Sequence, residues 1–199
     1  MKNILIALAI LAPVAFANAE AVPGKPAPAF EVKDSTGKSR TLADAKGKWL
    51  VLEWFNKDCP YVKKHYDSNN MQSIQKTYTG KDVVWFSVVS SAKGKQGHES
   101  PADATKTKAE KKSSATAVLL DESGVMGKAY GAKTTPHMFV IDPKGVIVYA
   151  GGIDNNDSAD SKVIATSKNY VTMALEAGMG GKKIETASAR PYGCGVKYE

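Results

Sequence analysis

The stretch Trp49-Leu50-Val51-Leu52-Glu53-Trp54-Phe55-Asn56-Lys57-Asp58-Cys59-Pro60 decides the fold of this 199-residue chain. Residues 49–55 are nearly continuously apolar, as a strand covered on both faces would be. The polar residues 56–58 end that run at once. Asp58 suits a helix N-cap, and Pro60 suits the first helical turn, where its missing N–H costs nothing. The spacing predicts one helix over residues 60–78, with Val62, Tyr66, Ile74 and Tyr78 along one face and Gly80 closing it. Residues 82–90 read as a second buried strand, so the chain begins as strand, helix, strand.

Working outward, residues 22–30 carry Pro23, Pro26 and Pro28 and cannot be helical. Residues 30–37 alternate and reach Gly37, which suggests a short hairpin. Residues 91–116 shift to a lysine-rich composition with few apolar side chains. They read as an insertion, with poor order at 92–100 and a solvated helix opened by Pro101 and running to 112. A short strand at 117–120 and a short helix at 124–130 follow. Pro136 leads into strands at 137–142 and 145–150, joined by the turn Pro143-Lys144-Gly145. Residues 168–177 form a last amphipathic helix, and the tail from 182 to 199 shows little periodicity.

Hydrophobic residues make up 43% of the chain and charged ones 24%, enough apolar mass for a single packed domain. Met1-Lys2-Asn3, the apolar run 4–14 and Ala17-Asn18-Ala19 together match a secretory signal peptide at residues 1–19, cleaved after Ala19. The expected mature domain is 20–199, periplasmic or secreted. The apolar run is too short for a membrane span. The net charge is +7, but Arg40 and Arg190 are the only arginines and the lysines are scattered. The charge is therefore read as solubility, with no nucleic-acid partner.

Chemistry concentrates on the two cysteines, Cys59 and Cys194. A thiolate is the reactive form, and a helix N-terminus favours it through free N–H groups and the macrodipole. Cys59 stands where such a helix begins. Lys57, Lys63 and Lys64 add positive potential nearby, whereas Asp58 and Glu53 oppose it. The plainer alternative makes Cys59 a small apolar filler. Cys194 lies between Gly193 and Gly195, a setting that allows close backbone approach. Two cysteines in an exported chain also fit one static disulfide.

WFNKDCPYV at 54–62 and TTPHMFVID at 134–142 resemble the thioredoxin superfamily. With the A-x-x-F-x-V-x-D-x-x-G lead at 27–37 and PYGCGVKY at 191–198, the chain is most similar to the peroxiredoxin-like redoxins, the alkyl hydroperoxide reductase/thiol-specific antioxidant type. The resemblance implies a three-layer α/β fold: a central mixed sheet flanked by helices, with an N-terminal hairpin and a helical insertion. It also implies a nucleophilic Cys59, and a cis Pro136 facing it so that the backbone of Thr135 pairs with an extended substrate. His137, beside Pro136, is a candidate for tuning the Cys59 pKa, as is Lys57. Three departures limit the likeness. Val62 stands where a C-x-x-C motif has its second cysteine, and Asn56 where peroxiredoxins place a threonine. Neither arginine matches their peroxide-polarising one.

The function expected is an exported thiol-based oxidoreductase with antioxidant activity, in which Cys59 attacks and Cys194 resolves the oxidised sulfur. Its partners would be a peroxide or protein disulfide as substrate, and a reductant protein or small thiol as electron source. The runner-up is thiol–disulfide interchange on exported proteins. The non-catalytic alternative is a binding module stapled by a Cys59–Cys194 bond. No cofactor and no metal are implied, since His65, His98 and His137 have no ligand spacing and His65 reads as a surface or edge residue. Residues 154–160 lack the Gly and Glu of a calcium loop and read as a polar turn. Every catalytic reading requires the Cys59 sulfur to be ionised and reachable.

Overall fold

The computed structural model describes residues 21–199; the expected signal peptide lies outside them. At the centre is β3 (Leu50–Trp54), all five of whose residues are buried. It pairs in parallel with β4 (Val84–Val89) and antiparallel with β7 (His137–Ile141). β5 (Ala117–Leu120) extends the sheet beyond β4, and β8 (Ile147–Gly151) extends it beyond β7, giving the order β5-β4-β3-β7-β8. The strand alternation sorts side chains cleanly. Leu50, Leu52 and Trp54 enter one core with Phe86, Val88, Phe139 and Ile141, while Val51 enters the other with Trp85, Val89, Met138 and Val140. Each such buried aliphatic side chain contributes about 1.5–3 kcal/mol.

The second of those cores is roofed by α1 (Pro60–Asp67), α2 (Asn70–Thr79) and α5 (Tyr170–Met179), and Ala104 of α3 (Pro101–Glu110) joins it. The other face is covered by the hairpin β1 (Glu31–Lys33) and β2 (Ser39–Thr41), a 3-10 turn at Leu42–Ala45, and α4 (Val125–Ala129). A mixed sheet with a layer on each face is the thioredoxin-like arrangement that the sequence resemblance implies.

The single helix expected over 60–78 is two helices. Asn69 takes a left-handed conformation with φ 60°, and the Ser68 hydroxyl donates to the carbonyls of Lys64 and His65 at 2.7 and 3.2 Å, turning the chain between them. Val62, Tyr66, Ile74 and Tyr78 still share one core. The N-cap is Cys59 itself, not Asp58. Residues 92–100, expected to be poorly ordered, are held by turns (Lys95 N–H to Ala92 O, 3.0 Å; His98 N–H to Lys95 O, 3.1 Å) and by the Ala92 N–H donating to Lys197 O at 2.9 Å. α3 begins where Pro101 places it, with the Ser100 hydroxyl accepting from the Asp103 N–H. The tail adds a short strand, β9 (Cys194–Gly195), paired antiparallel with β6 (Thr134–Thr135). That pairing and a 3-10 turn at Ser161–Thr166 carry no sequence periodicity.

Candidate active site

Three segments meet at Cys59: the β3–α1 turn that carries it, the Thr135–Pro136 corner between β6 and β7, and β9 of the tail. The turn is set by Asn56, whose carbonyl accepts the Cys59 N–H at 3.1 Å and whose side-chain Oδ1 accepts the Asp58 N–H at 2.9 Å. The Cys59 carbonyl then accepts from Val62 and Lys63 as α1 begins. The Thr135–Pro136 peptide is cis. The Thr135 carbonyl lies 3.0 Å from Cys59 Sγ and accepts its S–H. Opposite, β9 registers Cys194 against Thr135, and the Thr135 hydroxyl donates to the Cys194 carbonyl at 3.4 Å. Gly193 makes this approach possible. Its φ is +136°, and a Cβ there would sit 2.1 Å from the Thr135 carbonyl oxygen, so no other residue fits.

Both cysteines are free thiols. Their acidities are driven apart. Burial alone pushes the Cys59 thiol up, but the Cys194 thiol, the Thr135 side chain and the amides of Val62 and Cys194 outweigh it and leave Cys59 below the ordinary range. Cys194 is pushed up to about 12, first by burial and then by its hydrogen bond to Cys59 and the charge there. The protonated Cys194 thus supports a Cys59 thiolate.

Reachability is the expectation that fails. Cys59 is fully buried, at 0% exposure, in a cluster that Tyr192 and Cys194 of the tail also join. Its surroundings are nonetheless polar on the side of Thr135 and Cys194. Neither proposed tuning residue is brought to the sulfur. The Lys57 ammonium pairs with Asp58 at 3.1 Å. His137 stacks on Phe139 with ring centroids 4.7 Å apart, on the opposite face of the sheet, and its Nδ1 accepts the Lys133 N–H. Burial, then the nearby Lys133 charge, lowers its pKa to about 4, which keeps the ring neutral. Lys64, counted for its positive potential at Cys59, turns the other way.

Sequence reasoning missed what α1 buries. Lys64 and His65 are 2% and 0% exposed, so His65 is no surface residue. Lys64 Nζ donates to the Asn156 carbonyl at 2.7 Å and lies 3.3 Å from Asp154 Oδ2 and from the Tyr192 hydroxyl. His65 Nε2 is 3.3 Å from that hydroxyl, and its Nδ1 is 2.8 Å from Asn70 Nδ2. The Tyr192 hydroxyl donates to Asp154 Oδ1. Asp154 also forms the expected polar turn through the Asn156 N–H at 3.0 Å. Tyr192, two residues before Cys194, carried a signal of its own in the short aromatic-glycine-cysteine run 192–194.

A second buried carboxylate, Glu53, belongs to β3 itself, the strand that leads to Cys59. It accepts from Tyr66 Oη at 2.8 Å, Trp85 Nε1 at 2.8 Å, Gln75 Nε2 at 3.0 Å and Ser87 Oγ at 3.3 Å. Burial raises its pKa although these donors oppose the rise.

Comparison with known proteins agrees with this geometry. Residues 23–150 match the model of the AhpC/TSA family. Over 125 residues the chain is 28% identical to the thioredoxin-like protein YneN of Bacillus subtilis strain 168, covering 62% of this chain and 68% of that protein. Its fold is similar to a hypothetical protein of Sinorhizobium meliloti 1021 (TM-score 0.76, 21% identity, 91% of this chain and 97% of the other). It is also similar in fold to the thioredoxin domain of a thiol-disulfide oxidoreductase from Bacteroides vulgatus (TM-score 0.53, 23% identity, 74% and 99%).

Proposed function

The chain belongs to the AhpC/TSA family and is a thiol-dependent oxidoreductase, and from that premise we propose that Cys59 and Cys194 form one redox couple that reduces disulfides of other proteins. The observation that carries this is β9, which lays a cysteine-bearing strand on Thr135 beside the Cys59 sulfur. An extended cysteine-containing segment is thereby already accommodated at the site. The reaction balances in two exchanges. The Cys59 thiolate attacks one sulfur of the substrate disulfide, forming a mixed disulfide and expelling the other sulfur as a thiolate. Cys194 then attacks Cys59 within the mixed disulfide, its proton passing to the departing substrate thiolate. The substrate gains two electrons, and the chain is left with a Cys59–Cys194 bond that an external dithiol reduces. Cys194 must lose its proton in step with its attack, because its high pKa keeps it protonated beforehand.

Peroxide reduction is the second reading, favoured by the family match. There the thiolate takes one peroxide oxygen to become a sulfenic acid and releases an alcohol or water. Cys194 then forms the disulfide and releases water. It ranks second because Asn56 replaces the threonine of peroxiredoxins and both arginines are engaged elsewhere. Asn56 shapes the turn, Arg40 pairs with Asp34 at 2.8 Å, and Arg190 pairs with Asp157 at 2.8 Å. An exported setting, with cleavage after Ala19, is part of the proposal, and N-terminal sequencing of the protein recovered from its host tests it.

Turnover of a disulfide-linked peptide and of hydrogen peroxide, each with excess dithiol, tests the assignment. Cys59→Ser should abolish both activities. Cys194→Ser should trap the mixed disulfide with the peptide. Full activity in Cys59→Ser ends both readings, and activity with peroxide alone reverses their order.

A further inference from the structure

Resolution by Cys194 depends on where the tail is held, and the hold that uses buried charged groups precedes the cysteine. Tyr192 is 7% exposed, although it lies in a segment with no regular structure until β9. Its ring meets Tyr61 of α1 edge-on at 5.8 Å and lies under the Lys64 ammonium at 5.1 Å. Its hydroxyl is placed among Asp154, Lys64 and His65. Gly193 then passes against Thr135, so once the tyrosine is seated little freedom is left before Cys194.

We propose that Tyr192, held by the buried group Lys64, His65 and Asp154, is the positioning residue that seats Cys194 on Cys59 and closes the site over it. Resting on the reading of the two cysteines as a redox couple, this assigns a role to a buried charge cluster that the chemistry itself does not use. A buried Lys–Asp pair recovers its desolvation only with further hydrogen bonds, and the Tyr192 hydroxyl supplies one. The cluster is thus complete only when the tail is down. Lifting the tail exposes Cys59 for its substrate and leaves the cluster one partner short, which draws the tail back with Cys194 at its end.

The test uses the full chain with Tyr192→Phe, which keeps the ring and deletes the hydroxyl. Two quantities are read. One is the effective molarity of the Cys59–Cys194 disulfide, titrated against glutathione. The other is the alkylation rate of reduced Cys59 by iodoacetamide, followed by peptide mass spectrometry. Loss of a hydrogen bond to a charged group should lower the first and raise the second, each by about tenfold. Asp154→Asn, which leaves the tyrosine intact and weakens its acceptor, should move both the same way, and it decides the matter should Tyr192→Phe not fold. Wild-type values of both quantities in the folded variant overturn the positioning role. A wild-type chain that forms no Cys59–Cys194 bond in oxidised glutathione overturns the redox couple instead, so the two failures are told apart.

Discussion

Two buried carboxylates stand on the same side of the sheet, and they are held differently. Glu53 is enclosed by Tyr66, Gln75, Trp85 and Ser87, all from α1, α2 and β4. Gln75 is in turn fixed by Ser113 Oγ and Ser114 N–H, both at 2.9 Å. Each of the four side chains that donate to Glu53 sits on a regular element. Asp154 is held by Lys64 and His65 of α1 but also by Tyr192, a tail residue. The first knot cannot open without parting the sheet from its helices, whereas the second opens when the tail segment leaves. The helix α1 contributes to both, with Tyr66 in one and Lys64 and His65 in the other. It thereby carries Cys59 on a fixed base and under a removable cover.

The largest effect expected from this contrast is at Glu53. Glu53→Ala leaves Trp85 Nε1 and Tyr66 Oη without an acceptor, takes one of two acceptors from Gln75 Nε2, and should destabilise the fold by about 4 kcal/mol. Urea denaturation measures it, and a loss below about 1 kcal/mol would mean that the knot is hydrated and not closed. Next is Asp154→Ala, which strands the Lys64 ammonium in the core. A cost of about 3 kcal/mol is expected. It should come with rapid Cys59 alkylation in the folded state, which Glu53→Ala should not show below its unfolding transition. Equal alkylation in the two variants would erase the distinction between base and cover.

Much of the framework was legible because it is local. The apolar run before Cys59, Pro101 at the start of α3 and the Asp142–Gly145 turn each announce themselves within a few residues. In that turn Asp142 Oδ1 accepts from the amides of Lys144 and Val146, both at 2.9 Å. The cover over the site was not legible. Lys63-Lys64-His65 looks solvated because the groups that bury it, Asn156 and Tyr192, lie 92 and 128 positions from Lys64. The strand β9 is two residues long, too short for alternation to show. The break at Asn69 was hidden because the apolar spacing continues through it, even as the backbone turns. Lys57 and His137 illustrate the reverse error. They are near Cys59 or Pro136 in sequence, yet a neighbouring carboxylate holds one and the far face of the sheet holds the other.

The cover should also be sensitive to acid. Burial, more than the opposing pull of Asp154, holds His65 at about 4 against an ordinary 6.5, with Lys64 adding to the depression. Between those values the unfolded chain takes up a proton that the folded chain refuses. The stability tied to His65 is therefore complete above pH 6.5 and is lost as the pH falls toward 4, at about 1 kcal/mol per pH unit. His65→Gln should flatten the pH dependence of the urea midpoint by that slope in this window. Unchanged slopes would mean that the ring is protonated in the folded chain. His137, shifted the same way on the other face, is present in both proteins and cancels in the difference.

The smallest effect separates the two ends of the tail. Beyond Cys194, Tyr198 donates to the Ala132 carbonyl at 2.8 Å, and its side chain fills the space over Gly124 and Gly127, where a Cβ would come within 2.6 and 2.7 Å of the ring. This anchor is a neutral hydrogen bond plus packing, with no buried charge left behind when it lets go. Tyr198→Phe should therefore cost about 1 kcal/mol. It should raise Cys59 alkylation by less than Tyr192→Phe does, since the tail would still be seated on the near side of the cysteine. If Tyr198→Phe exposes Cys59 as much as Tyr192→Phe, the tail lifts from its Tyr198 side and the Asp154 cluster is a passive support.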